Sequence, residues 1–449
     1  MNIRLSILIL IFSLSLTGGS YLNAQNKVWT IDDCIQYALE KNIQVQKALV
    51  SNSIFEENLK FSKSAWYPSL SGSARDNYDW SNMYNTTTGA TVFKGANGMT
   101  ISASSGMTVY NGSRIRNSIK KSETDLEADK YNTDIIKETV SLNILNEYLQ
   151  VLYAEEQVKN SNDQISSLAE QLNLAGERLK LGVIANSDYL QIKSQLATEK
   201  QTLAVAQSQL AINRINLMQL MEFPIASDFN IEHPNLDSLI NQKRVPDPKE
   251  IYQISLGIKP EVKNAELAKK SSQISVDLAK ANLYPNLSMN AGVSTLYSGS
   301  QAGSSYGYQM KDNLSPSIGL SASIPIYLNR QVRTNVAIAK LNTNTAELNE
   351  FNVKNVLRKA IEQACQDVIS SQIEYEASAE AYQAVKESFD VASEKFFKGM
   401  MNSVDFLIQK TTFIATESKF LQSKYALIFS YKVLDFYSGQ PLSFKSGTK

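Results

Sequence analysis

Few side chains in this 449-residue chain could do covalent or metal chemistry. It has one histidine, His233, and two cysteines, Cys34 and Cys365. A structural zinc site needs about four such ligands at short spacings, and an activated nucleophile needs a base beside it. Neither can be assembled from these residues. There is no glycine-rich phosphate loop and no sign of an acid pair clustered at a pocket. The sequence therefore predicts no enzyme, no cofactor and no metal. Cys34 and Cys365 could be bridged in an oxidising compartment, but both lie in helical patterns, where a small buried thiol is the simpler reading. What does recur is a polar turn. Arg178-Leu-Lys-Leu-Gly182-Val183-Ile-Ala-Asn-Ser-Asp188 is matched by Lys395-Phe396-Phe-Lys-Gly399-Met400-Met401-Asn-Ser-Val-Asp405. Each has a base, a glycine four residues on, and an aspartate six further. Glycine permits the positive φ that ends a helix. The base suits a helix C-terminus, and serine and aspartate suit the next N-terminus.

The turns must join helices, and the flanking sequence supplies long ones. No glycine or proline occurs from Ser113 to Ala175 or from Leu328 to Lys398. At about 1.5 Å per residue each run spans roughly 100 Å. Return arms at 187–221 and 402–438 carry heptads: Leu196, Leu203, Leu210 and Leu217, then Phe413, Phe420, Leu427 and Leu434. Ile165, Leu168, Leu172, Ala175 and Leu179 step by three and four, as in a coiled-coil seam. The arms before the strands, 31–65 and 249–282, match the return arms in length, so a helical wall could alternate continuous and stacked helices.

Strands are predicted where the period falls to two. Leu287, Met289, Ala291 and Val293 alternate with Asn286, Ser288, Asn290 and Gly292. Ile318, Leu320, Ala322, Ile324 and Ile326 alternate with serine and glycine, as do Leu70, Gly72, Ala74 and Ile101, Ala103, Ser105, Met107, Val109. A soluble sandwich would hide the apolar face in a core. A membrane barrel would turn it to lipid, placing Val109, Leu287, Met289, Leu320 and Ile324 outward. Tyrosine and tryptophan near the strand ends favour the barrel. The stretches 77–98 and 295–313 read as exposed loops. Four strands cannot close a barrel, and an open edge in lipid is forbidden. Two copies would supply eight strands and three would supply twelve.

The chain is one unit written twice. Tyr67-Pro68 recurs as Tyr284-Pro285, and the same constant offset pairs Leu39 with Leu256, Arg116 with Arg333, Gly182 with Gly399 and Pro224 with Pro441. The repeats are expected at 29–224 and 249–441, joined by an irregular connector at 225–248 and followed by a tail at 442–449. Arg4, the apolar run Ile7 to Leu16 and Ala24 read as an export signal over 1–24. Lys plus Arg and Asp plus Glu both number 44, so no basic surface points to nucleic acid.

These features together resemble the outer-membrane efflux protein family, the TolC-type channels. The resemblance rests on Cys34-Ile-Gln-Tyr-Ala-Leu, both Tyr-Pro pairs, both turns and Gly439-Gln-Pro441-Leu. It implies a mainly α fold with a β-barrel part: a homotrimer whose twelve-stranded barrel in outer-membrane lipid continues into a long periplasmic helical barrel. It implies a passive conduit in a tripartite efflux or type I secretion system, with a periplasmic adaptor and an inner-membrane pump as partners. Arg178, Gly182, Val183, Lys395, Gly399 and Met400 match the adaptor-docking turns. Asp188, Asp405, Phe396 and Met401 match the periplasmic gate. There the family holds the aspartate with a tyrosine and an arginine, which are Phe396 and Met401 here, and a second acidic position is Ile408. Closure is then expected to rest on apolar contact, with Asp405 drawing cations to the mouth. The alternative is a coiled-coil envelope protein or adhesin without a pore.

Overall fold

A computed structural model describes residues 28–84, 89–224, 229–240, 247–300 and 304–444. The expected export signal at 1–24 lies outside these residues. Each repeat begins with a broken helix. In the first, α1 (Ile31–Lys41) and α2 (Ile43–Ser64) meet at Asn42, whose extended ψ of 129° stops one helix. Its side-chain oxygen then accepts the Gln44 N–H at 2.8 Å and starts the next. One unbroken arm is the simpler expectation from the sequence. In the second repeat, α6 (Pro248–Ile258) and α7 (Pro260–Ala281) break at Lys259. There Pro260 lacks the N–H that an unbroken helix would need, but suits a first helical position.

The long helices form as the missing glycines and prolines predict. α3 (Arg114–Lys180) and α9 (Gln331–Phe397) each run 67 residues, and α4 (Asn186–Leu220) and α10 (Ser403–Tyr437) each run 35. Each long helix pairs with the shorter one after its turn, and α7 packs between α3 and α9. The four helices named in the first repeat all start at the offset from their counterparts that the sequence repeat sets.

Strands β2 (Ser69–Tyr84), β3 (Thr91–Tyr110), β5 (Asn286–Ser298) and β6 (Ser315–Ser323) form one antiparallel sheet in that order, leaving β2 and β6 as open edges. The register puts Leu70 opposite Ser105, Ala103 opposite Val293 and Met289 opposite Leu320, so the apolar positions share one face. The other face is laced by hydroxyl pairs: Ser71–Ser104 at 2.9 Å, Ser73–Ser102 at 2.8 Å and Ser288–Ser321 at 2.8 Å.

Several expectations are corrected. Ile324 and Ile326 lie past the end of β6, because Pro325 cannot donate to the ladder. Val109 is the residue left over where the β3–β5 register shifts between Thr108 and Tyr110. The stretch 77–98 is mostly strand, since β2 and β3 stay paired out to Tyr84 and Thr91. Tyr78 and Trp80, 4.7 Å apart, carry its alternation onward. The stretch 295–313 ends β5 and then forms α8 (Tyr306–Asp312). Buried Gln309 ties that helix to the strand, accepting the Ser298 N–H at 2.9 Å and donating to its carbonyl at 3.2 Å.

The described part of the connector is ordered rather than irregular. β4 (Asn230–Ile231) pairs in parallel with β1 (Val28–Trp29), and a short helix, α5 (Asp237–Ile240), follows. Phe229, Ile231, Leu236 and Ile240 are buried with Tyr148, Leu217, Ile361, Cys365 and Cys34 in the main core. This core girdles the middle of α3 and α9, and Tyr148 pins it by donating to the carbonyls of Glu232 at 2.7 Å and Trp29 at 3.2 Å. Burial pushes the Tyr148 phenol well above its ordinary range.

Candidate functional site at the paired hairpin tips

Both turns end their helices in the same way. Gly182 has φ +70° and Gly399 has φ +73°, the left-handed region that a side chain strains. Gly182 N–H donates to Leu179 O at 3.0 Å and Val183 N–H to Arg178 O at 2.9 Å. Gly399 N–H donates to Phe396 O at 3.0 Å and Met400 N–H to Lys395 O at 2.8 Å, so both turns satisfy the last carbonyls of their helices. The next starts differ. Asn402 caps α10, its oxygen accepting the Asp405 N–H at 2.8 Å, and its amide donates to the Asp405 carboxylate at 2.8 Å. Ala185 precedes α4 without a side-chain cap. The expected serine and aspartate caps thus resolve into one asparagine, with Asp405 as its reciprocal partner.

The two tips are fastened to each other. The Arg178 guanidinium donates to Phe396 O at 3.2 Å and also to Phe397 O, at the end of the other long helix. Phe397 O would otherwise be an orphan of the α9 terminus, while Phe396 O, already bonded by Gly399 N–H, gains a second donor. Asp188 accepts a hydrogen bond from Ser403 Oγ at 2.8 Å, a polar link that the sequence reading missed. Ala175, Ile192, Phe396 and Phe406 form a small core of their own, with Leu172, Ile184, Tyr189, Phe389 and Met401 packed on it. Phe396 stacks on Phe406 at 4.5 Å. Of the gate positions, Phe396, Met401 and Asp188 are thus brought together, while Asp405 is spent on its own helix start.

Outward, the turns mix apolar side chains with the exposed Lys180 and Lys398. Val183 is 68% exposed and Met400 66%. Leu181 and Val404 are exposed beside them, and Lys395 also faces outward. A Cβ built on either glycine meets nothing within 4 Å, so the space over both turns is open.

A sheet with an apolar and a hydroxyl-lined face, long coiled hairpins and a duplicated chain now stand together. The family model described as outer membrane efflux protein matches twice, over residues 34–221 and 251–440. The chain belongs to the outer membrane efflux protein family. It is similar to outer membrane protein TolC of Escherichia coli (strain K12), 22% identical over 436 residues that cover 93% of this chain and 83% of TolC. It is also similar to outer membrane efflux protein BepC of Brucella suis biovar 1 (strain 1330), 20% identical over 94% of this chain and 88% of BepC. Among solved structures, CusC superposes with a TM-score of 0.78 at 16% identity, covering 94% of this chain and 96% of CusC. The open state of the Neisseria gonorrhoeae MtrE outer membrane channel superposes with a TM-score of 0.75 at 17% identity, covering 93% and 91%. The protein is a TolC-type outer-membrane efflux channel, which decides against the poreless scaffold. Membership implies a trimeric assembly, in keeping with the two open sheet edges.

Proposed function

We propose that three copies close their sheets into a twelve-stranded barrel and their hairpins into a periplasmic tunnel. In this reading the chain, exported by the segment 1–24, is the passive outer-membrane conduit of a tripartite efflux or type I secretion system. A periplasmic adaptor meets the hairpin tips, and an inner-membrane pump sets the substrate. Leu287, Met289 and Leu320 face lipid, while the serine ladders face the lumen.

One observation carries the docking assignment. The two repeat-related turns lie side by side, each with a positive-φ glycine open to solvent and flanked by exposed Val183 or Met400. Apart from each glycine's own chain neighbours, nothing lies within 4 Å of the space over it, so another helical hairpin can approach there closely. Arg178 supports the surface by bridging the tips rather than by reaching outward. Gly182→Glu combined with Gly399→Glu should leave the trimer intact in membrane extracts and abolish adaptor crosslinking and export. Undiminished crosslinking in an intact trimer would move the docking surface elsewhere.

A further inference from the structure

Above the tips, the seam between the two hairpins holds an unusual group. Lys410 of α10 is 0% exposed, and its ammonium has no hydrogen-bond partner. Two other lysines are also deeply buried, but both are satisfied. Lys259 has Glu138 Oε2 at 3.1 Å and lies over the Phe436 ring. Lys432 has Asp435 at 3.2 Å and the Ser443 carbonyl at 2.7 Å. Beside Lys410, Gln171 of α3 is 1% exposed and its side-chain oxygen is likewise unpartnered.

The cavity they share is lined by both hairpins: Leu168 and Gln171 from α3, Gln195 from α4, and Ser403, Phe406 and Leu407 from α10. Its free volume of about 10 Å³ sits at the lower limit for a single water, roughly 10–15 Å³. A solute site is therefore ruled out on size, and a destabilised contact remains. Glu199 of α4, 4% exposed, is the titratable group facing Lys410. Its carboxyl is hydrogen bonded to Ser161 of α3. α9 contributes Phe389, which stacks on Phe413 and packs against Phe406. On α10 itself, Asp405 is engaged by Asn402.

We infer that Lys410 is a built-in weak point that lets the second hairpin part from the first while its amine is charged, and that loss of the proton locks the seam. With the hairpins packed, the ammonium has surrendered its water without gaining a hydrogen bond, which is costly. With the hairpins apart, it is hydrated. Burial accordingly lowers the Lys410 pKa from 10.5 to about 8, against the smaller opposing pull of Glu199. The sign follows from linkage. Below about pH 8 both arrangements are charged and the packed one bears the full penalty, a bias of roughly 300-fold. Between about 8 and 10.5 the packed form sheds its proton first and gains; above that range the penalty is gone. Burial holds the Glu199 carboxyl above its ordinary range, so its own window lies on the acid side. The inference is independent of what docks on the tips.

The test is a distance measurement on the full-length assembly in detergent. Spin labels go on Val183→Cys and Met400→Cys, with Cys34 and Cys365 replaced by alanine and labelled chains diluted into unlabelled ones. A population with separated tips is expected near pH 7, falling at least tenfold by about pH 10. In Lys410→Met it should be small and flat with pH. Should both proteins stay packed throughout, the denaturant concentration that separates the labels decides. It should be higher for Lys410→Met at pH 7, and the gap should close above about pH 10.5. A pH-independent wild type whose tips separate as readily as those of Lys410→Met, or a Lys410→Met that separates more easily, overturns the inference.

Discussion

The two hairpins share a backbone plan and differ in what fills it. In the second, aromatic rings recur every seventh residue on both helices: Tyr375, Tyr382, Phe389 and Phe396 on α9, and Phe406, Phe413 and Phe420 on α10. They interleave into one ladder. Phe396–Phe406 lie 4.5 Å apart, Phe389–Phe413 4.9 Å and Tyr382–Phe420 5.0 Å, all stacked within 16° of parallel. The corresponding positions of the first hairpin are Val158, Ile165, Leu172 and Leu179, facing Tyr189, Leu196 and Leu203. Stacked rings have few rotamers and contribute beyond their buried area. Aliphatic seams repack more readily. Duplication thus yields one stiff hairpin and one adaptable hairpin, and the charged Lys410 lies where they meet. If the hairpins part, the second should move as a rigid body and the first should adjust around it.

The aromatic ladder is most vulnerable at a rung. Phe406 is buried and touches the rings of both Phe396 and Phe389. Phe406→Ala should destabilise the second hairpin by about 3–5 kcal/mol, through lost burial and the cavity left behind. Protease nicking of α9 and α10 should rise, with Tyr189→Ala in the first hairpin as the milder control. Equal nicking in the two variants would mean that the ladder adds no stiffness. A smaller effect is expected at the polar link between hairpins. Ser403→Ala removes the hydrogen bond to Asp188, worth roughly 0.5–1.5 kcal/mol. It should loosen the tips, read as a modest gain in amide exchange in residues 186–192, without touching the main core. Exchange unchanged at those residues would leave Asp188 merely solvated.

Much of this was legible in the sequence, for physical reasons that can be named. A run of 67 residues with almost no glycine or proline has few alternatives to helix, and α3 and α9 formed as read. Strand alternation put Leu70, Val293, Met289 and Leu320 on one face, as the register does, but it overran at Val109, Ile324 and Ile326, where a register shift and Pro325 break the period. The positive φ of Gly182 and Gly399 followed from their place after a helix. What escaped was set by contacts distant in sequence. β4 is a two-residue strand that exists only because β1 lies beside it. α8 was hidden in a Gly- and Ser-rich stretch, and Gln309 tethers it through strand backbone. Arg178 read as the base of a helix end and a match to the docking turns, yet its guanidinium is held by carbonyls 218 and 219 residues away. Lys410 did leave a trace: Ser403, Lys410 and Glu417 recur every seventh residue, three positions before the rungs Phe406, Phe413 and Phe420, and Lys424 continues the line before Leu427. A lysine on the second seam line of a coiled coil is a polar residue at a core position.

Three copies of this chain should form a continuous water-filled path across the outer membrane. Planar-bilayer recording from the purified full-length protein tests it most directly. Trimers by mass, inserting to give discrete current steps that favour cations, are the predicted result. A stable monomer that inserts no conductance would contradict the account.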